Sequence, residues 1–292
     1  MTNVQQEPAA RVLRKPRDDE IDVHGLTHAG LKRSSNQDHF LVCSLHKRTH
    51  VHLTSLPTIE SIPDERLAFL AMVADGVGGR AAGEEASRLA VESVTRYVME
   101  SMHCYYTADA TDEATFRQAL EDAALACHEH ITRSARQDPE REGMATTLTL
   151  FLGVWPRAYL LQVGDSRYYF YRNGKLTQVT RDQTFAQDLT DIGVFTPSDP
   201  MRARWANVLS SAIGGSETKP VVTGIRSDWD NIHLLCSDGL TKHVPDDRIR
   251  ERLATMTSAR QTCEALLQDA LDGGGTDNIT IIVGRTVRRD ES

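Results

Sequence analysis

The sequence predicts an α+β domain of layered β-sheets with helices on the outside. Three observations carry this. Short apolar runs rich in β-formers occur in clusters, two long stretches have helical spacing, and the two kinds do not alternate regularly. A dinucleotide-binding fold would need that alternation together with a glycine fingerprint, and the chain has neither.

Taken in order, residues 1–20 have almost no apolar periodicity, two prolines and mixed charge, and read as a flexible tail. The basic run 11–17 reads as part of that solvated tail. From residue 21 to 288 no linker divides the chain, so a single domain is expected. Residues 46–64, with two prolines and several histidines, read as a long loop or irregular hairpin that could carry specificity. Strands are expected at 67–74, 146–154, 158–163, 168–172, 176–180, 232–236 and 278–283, with Asn173-Gly174 as a tight hairpin turn. Residues 83–102 place Ala86, Leu89, Ala90, Val94 and Val98 on one helical face. Residues 113–136 do the same with Phe116, Leu120, Ala123, Ala124, Cys127 and Ile131, and a further helix is expected at 258–271.

Composition narrows the function. A formal net charge of −8 argues against nucleic-acid binding, which needs a basic surface, and suits a protein that collects cations or is simply soluble. The five cysteines are scattered and never spaced as CxxC, so reduced, mostly buried thiols are expected rather than disulfides or a thiolate zinc site. The apolar runs 67–74 and 148–155 fall far short of the roughly 20 residues a membrane helix needs. No apolar stretch near the start suggests a signal peptide. These features point to a cytoplasmic protein without membrane association.

The informative pattern is where the aspartates fall. The run 67–74 leads into Asp75-Gly76, 158–163 into Gly164-Asp165, and 232–236 through Ser237 into Asp238-Gly239. The last strand follows Thr276-Asp277-Asn278. One Asp-Gly after a strand is ordinarily a turn. Four carboxylates at strand ends form a repelling set if they meet, and Mg²⁺ or Mn²⁺, which prefer oxygen ligands, are a common way to offset such repulsion. Earlier in the chain, Arg33 offers a planar fork suited to a phosphate dianion, and Asp38 adds another carboxylate.

Several ordered motifs resemble those of the protein phosphatase 2C family, in its bacterial form. They are Arg33-x-x-Asn36-Gln37-Asp38, Val73-Ala74-Asp75-Gly76-Val77-Gly78-Gly79, Gly143-Met144-Ala145-Thr146-Thr147 and Val163-Gly164-Asp165-Ser166-Arg167. Leu209-Ser210-Ser211-Ala212-Ile213-Gly214, Cys236-Ser237-Asp238-Gly239-Leu240 and Thr276-Asp277-Asn278-Ile279-Thr280 complete the series, which spans residues 25 to 284. The resemblance implies a four-layer α-β-β-α sandwich, a central β-sandwich flanked by antiparallel helix pairs. It implies two Mn²⁺ or Mg²⁺ ions at one end of the sheets, with a third, weaker ion. Asp75 would bridge the two metals, the carbonyl of Gly76 would bind one, and Asp238 and Asp277 would complete the other. Asp38 would be a nearby carboxylate binding a metal or its waters, and Asp165 with Asp238 would hold the third. Arg33 would bind the phosphoryl group while a hydroxide shared by two cations attacks phosphorus. The implied activity is hydrolysis of phosphoserine and phosphothreonine in proteins phosphorylated by a Ser/Thr kinase, carried out by a monomer. A catalytically weak phosphoprotein-binding or scaffold member of the same fold is the alternative.

Three departures from the family pattern stand out. Gln37 replaces a frequent glutamate, which would weaken a contact to metal-bound water. Val77 stands where animal members have a histidine proposed as general acid, so leaving-group protonation would come from water or another side chain; His39 and His243 are substitutes, each read first as an ordinary surface or loop histidine. Ala145 replaces a usual glycine and is expected to be structural. Residues 180–207, rich in Asp and helix breakers, correspond to the flap beside the active site in bacterial members and are expected to govern substrate access.

Overall fold

An antiparallel strand whose side chains are apolar on both faces needs cover on both sides, and several strands here have that composition. In the computed structural model, residues 14–47, 65–78, 80–101, 113–196, 198–229 and 231–289 are described. The elements run β1 (Ile21–His28), β2 (Asp38–Lys47), β3 (Glu65–Val77), α1 (Arg80–Glu100), α2 (Glu113–Gln137), β4 (Ala145–Thr146), β5 (Leu148–Val154) and β6 (Arg157–Val163). They continue with β7 (Arg167–Arg172), β8 (Lys175–Gln178), α3 (Phe185–Asp191), α4 (Arg202–Trp205), β9 (Val221–Arg226) and β10 (Ile232–Cys236). The chain closes with α5 (Asp238–Thr241), α6 (Asp246–Ala254), α7 (Ala259–Asp272) and β11 (Ile279–Thr286).

The strands form two antiparallel sheets, one ordered β1-β11-β10-β7-β8 and the other β2-β3-β5-β6-β9, with β4 paired to the end of β3. Period-2 alternation then assigns side chains to layers. On β3, Leu70, Met72 and Ala74 face α1 and α2, where they meet Ala86, Val94, Phe116, Leu120 and Ile131. Ala71 and Val73 face the other sheet, meeting Phe151, Tyr168, Leu235 and Ile282. On the far side, Leu234, Cys236, Ile279, Ile281 and Val283 pack under Ile249 and Leu253 of α6 and Cys263 and Leu266 of α7. Three cores between four layers are the α-β-β-α sandwich that the motifs imply.

The expected helical faces are buried as read, with Leu89 only partly so. The run 146–154 is split at Thr147 into β4 and β5, and the hairpin turns at Asn173, where φ is 50°. Sequence periodicity did not give β1, β2, β9 or α6. The first two begin or alternate with His, Asp and Gly, β9 is an edge strand interrupted by Gly224, and α6 buries only Ile249 and Leu253. Residues 46 and 47 of the expected loop continue β2, and 48–64 lie outside the described residues.

The expected tail is described only from Arg14, and there the chain is held. Arg14 donates twice to buried Glu20, each at 2.7 Å, and the carbonyl of Arg14 accepts from the Trp229 indole at 3.2 Å. Arg66 pairs with Asp18. Cys43, Cys127, Cys236 and Cys263 are free thiols, the last three buried. Cys104 lies outside the described residues. Among the described residues no helix is long and apolar enough to cross a membrane.

Candidate metal centre

At one end of the sandwich the strands of both sheets stop beside a cleft of about 450 Å³. Arg33, Gln37, Asp75, Gly76, Val77, Asp165, Asp238, Lys242 and Asp277 contribute to its lining. The strand ends bring Asp75, Asp165, Asp238 and Asp277 together, with Arg33 at the mouth. Asp38 is paired directly across from Asp75 in the β2–β3 ladder and lies beneath the cleft rather than on its surface.

Each carboxylate is aimed by local hydrogen bonding. The backbone of Asp75 is fully occupied by the Thr146-Thr147 pair. Its N–H donates to Thr147 Oγ1 at 3.0 Å, and its carbonyl accepts from the Thr147 N–H and from Thr146 Oγ1, both at 2.9 Å. Gly76 is required next, because a Cβ there would lie 2.1 Å from the carbonyl oxygen of Gly83 in α1. Asp165 follows Gly164, whose φ of 102° turns the chain out of β6. Gln183 grips that turn by accepting from the Gly164 N–H at 2.7 Å and donating to its carbonyl at 3.1 Å. Asp238 opens the short helix α5. Asn278 fixes the loop that carries Arg33, since its side chain donates to Ala29 and Ser35 carbonyls at 3.0 and 2.9 Å and accepts from the Gln37 N–H at 2.9 Å.

The electrostatics are those of crowded carboxylates. Burial, opposed by hydrogen bonds from Ser237 and Thr280 and reinforced by neighbouring aspartates, pushes Asp38 up to about 6. Burial and the charges of Asp38 and Asp238 push Asp75 well above the usual carboxylate range. Burial, then Asp238 and Asp182, raises Asp165 to about 7. Asp238 is also raised by burial, with Lys242 pulling the other way. Asp277 alone is lowered. Burial acts to raise it, but hydrogen bonds from Lys242 and Arg33 outweigh burial.

Two observations show that this donor set fits a hard cation. Asp38 Oδ1 and Asp238 Oδ1 are buried without any hydrogen-bond partner, a costly arrangement for a carboxylate. The carboxylates lining the cleft beside them, Asp75, Asp165 and Asp277, offer oxygen, the ligand type Mg²⁺ and Mn²⁺ prefer. Among the described residues no three acidic, thiol or imidazole side chains stand as a finished ligand cluster. Asp277 is paired with cations of the chain itself. Arg33 forks onto it at 2.8 and 2.9 Å, and Lys242 reaches it at 2.7 Å while touching Asp238 at 2.6 Å.

Sequence reasoning missed Lys242. Its signal was the i, i+4 spacing from Asp238, legible only once residues 238–241 are known to be helical. It also missed Ser237 and Thr280, which both donate to Asp38 Oδ2 at 2.7 Å from the opposite sheet. The histidines suggested as acids are engaged elsewhere. His39 Nδ1 lies 2.9 Å from Ser87 Oγ against α1, and His243 Nε2 accepts from the Thr276 N–H at 2.9 Å. Among the described residues no imidazole lines the cleft. Ala145 is buried in the β3–β4 pairing, a structural place.

Residues 61–273 match the family model described as Protein phosphatase 2C. The chain belongs to the protein phosphatase 2C family. It is 35% identical over 223 residues to the serine/threonine protein phosphatase PstP of Mycobacterium tuberculosis, covering 76% of this chain and 41% of that protein. The chain thus spans about two-fifths of PstP. It is 30% identical over 222 residues to the serine/threonine phosphatase stp of Listeria monocytogenes, covering 76% of this chain and 84% of the relative. Among solved structures, the catalytic domain of PstP in complex with two manganese ions superposes with a TM-score of 0.70 at 31% identity. That match covers 92% of this chain and 99% of the other. A separate crystal structure of PstP/Ppp gives a TM-score of 0.72 with the same identity and coverage.

Proposed function

We propose that this protein phosphatase 2C member is a metal-dependent protein-serine/threonine phosphatase, hydrolysing phosphoserine and phosphothreonine monoesters in proteins. The observation that carries the reading is the convergence of Asp75, Asp165, Asp238 and Asp277 on one cleft, above the buried, unpartnered Asp38 Oδ1 and beside that of Asp238. The names of the PstP and stp relatives, and the two manganese ions in the PstP catalytic domain, support it.

On this reading Asp75, the carbonyl of Gly76, Asp238 and Asp277 hold two Mn²⁺ or Mg²⁺ ions, with Asp38 supporting them from below and Asp165 with Asp238 offering a third, weaker position. When bound, such ions supply a water acidified toward neutral pH and positive charge for the developing transition state. Thr146 and Thr147 keep Asp75 in place through its backbone. Arg33, freed from Asp277, presents its guanidinium fork to the phosphoryl oxygens at the mouth. Val77 is exposed at the cleft and carries no proton. With His39 and His243 engaged elsewhere, protonation of the leaving group falls to solvent. Cys236 is buried behind the site with its thiol pushed up to about 12 by burial, which suits a strand residue and not a nucleophile. The substrates are phosphoproteins made by a Ser/Thr kinase, and the enzyme works as a cytoplasmic monomer.

The test is hydrolysis of a phosphothreonine peptide after chelator treatment, with Mn²⁺ or Mg²⁺ restored, for wild type and Asp238→Ala. The expected result is cation-dependent turnover that falls at least ~100-fold in the variant. Absence of wild-type turnover with either cation would sink the catalytic reading.

A further inference from the structure

The short helix α5 does more than carry Asp238. It ends at Lys242, one turn later, so the lysine side chain returns over the carboxylate at its start. The ammonium nitrogen lies 2.6 Å from Asp238 Oδ2 and 2.7 Å from Asp277 Oδ2, joining the two aspartates that open α5 and precede β11. Its side chain is only 26% exposed. Arg33 differs. It touches Asp277 but not Asp238, and half of its side chain faces solvent.

We propose that Lys242 is a resident counter-ion of the metal centre: it competes with a divalent cation for the Asp238 and Asp277 carboxylates and sets the affinity of that position. The inference rests on the metal-dependent reading above. A nitrogen at hydrogen-bond distance from both oxygens stands in the layer that a cation at about 2.0–2.2 Å from the same oxygens would need. The ammonium and the cation would need the same two oxygens at once, and their charges repel in a partly desolvated cleft. Loading therefore requires the ammonium to withdraw, and the flexible four-carbon stem permits this without moving α5. The lysine has a second effect. It balances two carboxylates that would otherwise repel each other, so it stabilises the folded chain before any cation binds.

The experiment uses the full chain and reads binding, not turnover. Mn²⁺ affinity is measured by titration calorimetry for wild type, Lys242→Gln and Lys242→Arg, and Tm is measured for each in excess chelator. Lys242→Gln is expected to bind Mn²⁺ at least ~5-fold more tightly and to melt several degrees lower in chelator, whereas Lys242→Arg stays near wild type on both. Unchanged or weaker Mn²⁺ binding by Lys242→Gln, with wild type binding normally, overturns the role of Lys242 and leaves the metal centre intact. Failure of both proteins to bind Mn²⁺ overturns the metal centre itself. Binding seen only in Lys242→Gln supports the competition in its strongest form. Should that variant fold poorly, wild type decides. Acylation of Lys242, measured by mass spectrometry against exposed Lys219, should rise several-fold with saturating Mg²⁺ (Lys219 side chain 69% exposed). No rise means that the ammonium does not withdraw.

Discussion

At the scale of the residue, the proposed centre sets protons, side-chain cations and metal ions in competition for the same oxygens. Asp38 holds its proton up to about 6 and Asp165 up to about 7, each chiefly because burial disfavours the charged form. A divalent cation binds the carboxylate and must expel those protons. As pH falls through 7 and then 6, more of the ligand set is protonated and affinity is lost. As pH rises above both values, the full set is available. Mn²⁺ affinity should therefore drop by at least ~10-fold between pH 8 and pH 6. Calorimetry in two buffers of different ionisation enthalpy should show proton release on binding near pH 6.5. A flat affinity with no release would mean that these carboxyls stay outside the site. Asp75, Asp165 and Asp238 were legible in the sequence because each follows an apolar run, and Asp277 because it precedes one. Lys242 was not, because a four-residue helix has no periodicity to read. The partner-less oxygens of Asp38 and Asp238 needed three dimensions.

At the scale of the element, the segment 180–207 is anchored beside the cleft. The bridge between Thr184 and Leu209 closes its base, and Asn207 and Leu209 line the site. Arg181 fastens α3 by pairing with Asp188 at 2.7 Å and Asp191 at 2.6 Å. Above this base Phe185 and Trp205 meet edge to face at 6.1 Å and remain 43% and 41% exposed, with Ile192 and Val194 more exposed still. An apolar surface beside a polar cleft suits contact with the polypeptide around a phosphorylated residue. Replacing Phe185 and Trp205 together by Ala should lower kcat/KM on a phosphoprotein about 10-fold, while hydrolysis of a small aryl phosphate stays within about twofold. Equal losses on both substrates would assign these rings to the architecture of the cleft. The segment 180–207 stood out in sequence as a dense run of Asp and breakers, and the central strands as apolar runs, because burial on two faces leaves no polar alternation. The edge strand β2 mixes Phe40, Leu41 and Val42 with Asp38, His39 and Ser44, so its membership in a sheet depended on partners far along the chain.

At the scale of the whole molecule, the centre is a seam. Asp38, Asp75 and Asp165 belong to strands of one sheet or their ends, whereas Asp238 and Asp277 adjoin strands of the other. Asp38 crosses the seam directly, accepting from Ser237 and Thr280 of the opposite sheet. The proposed ligand set therefore exists only when the sandwich is closed, and cations bound across it would select the folded state over the unfolded one. At a free Mn²⁺ concentration 100 times Kd this linkage supplies about 2.7 kcal/mol. For a domain of this size that raises Tm by about 5–10 °C. Asp75→Asn, which removes the proposed bridging charge while keeping the side chain's volume, should fold and lose most of that rise in a thermal melt. An Asp75→Asn protein that gains as much as wild type would mean that the Asp75 charge does not hold the cations, and the proposed bridging role would fall.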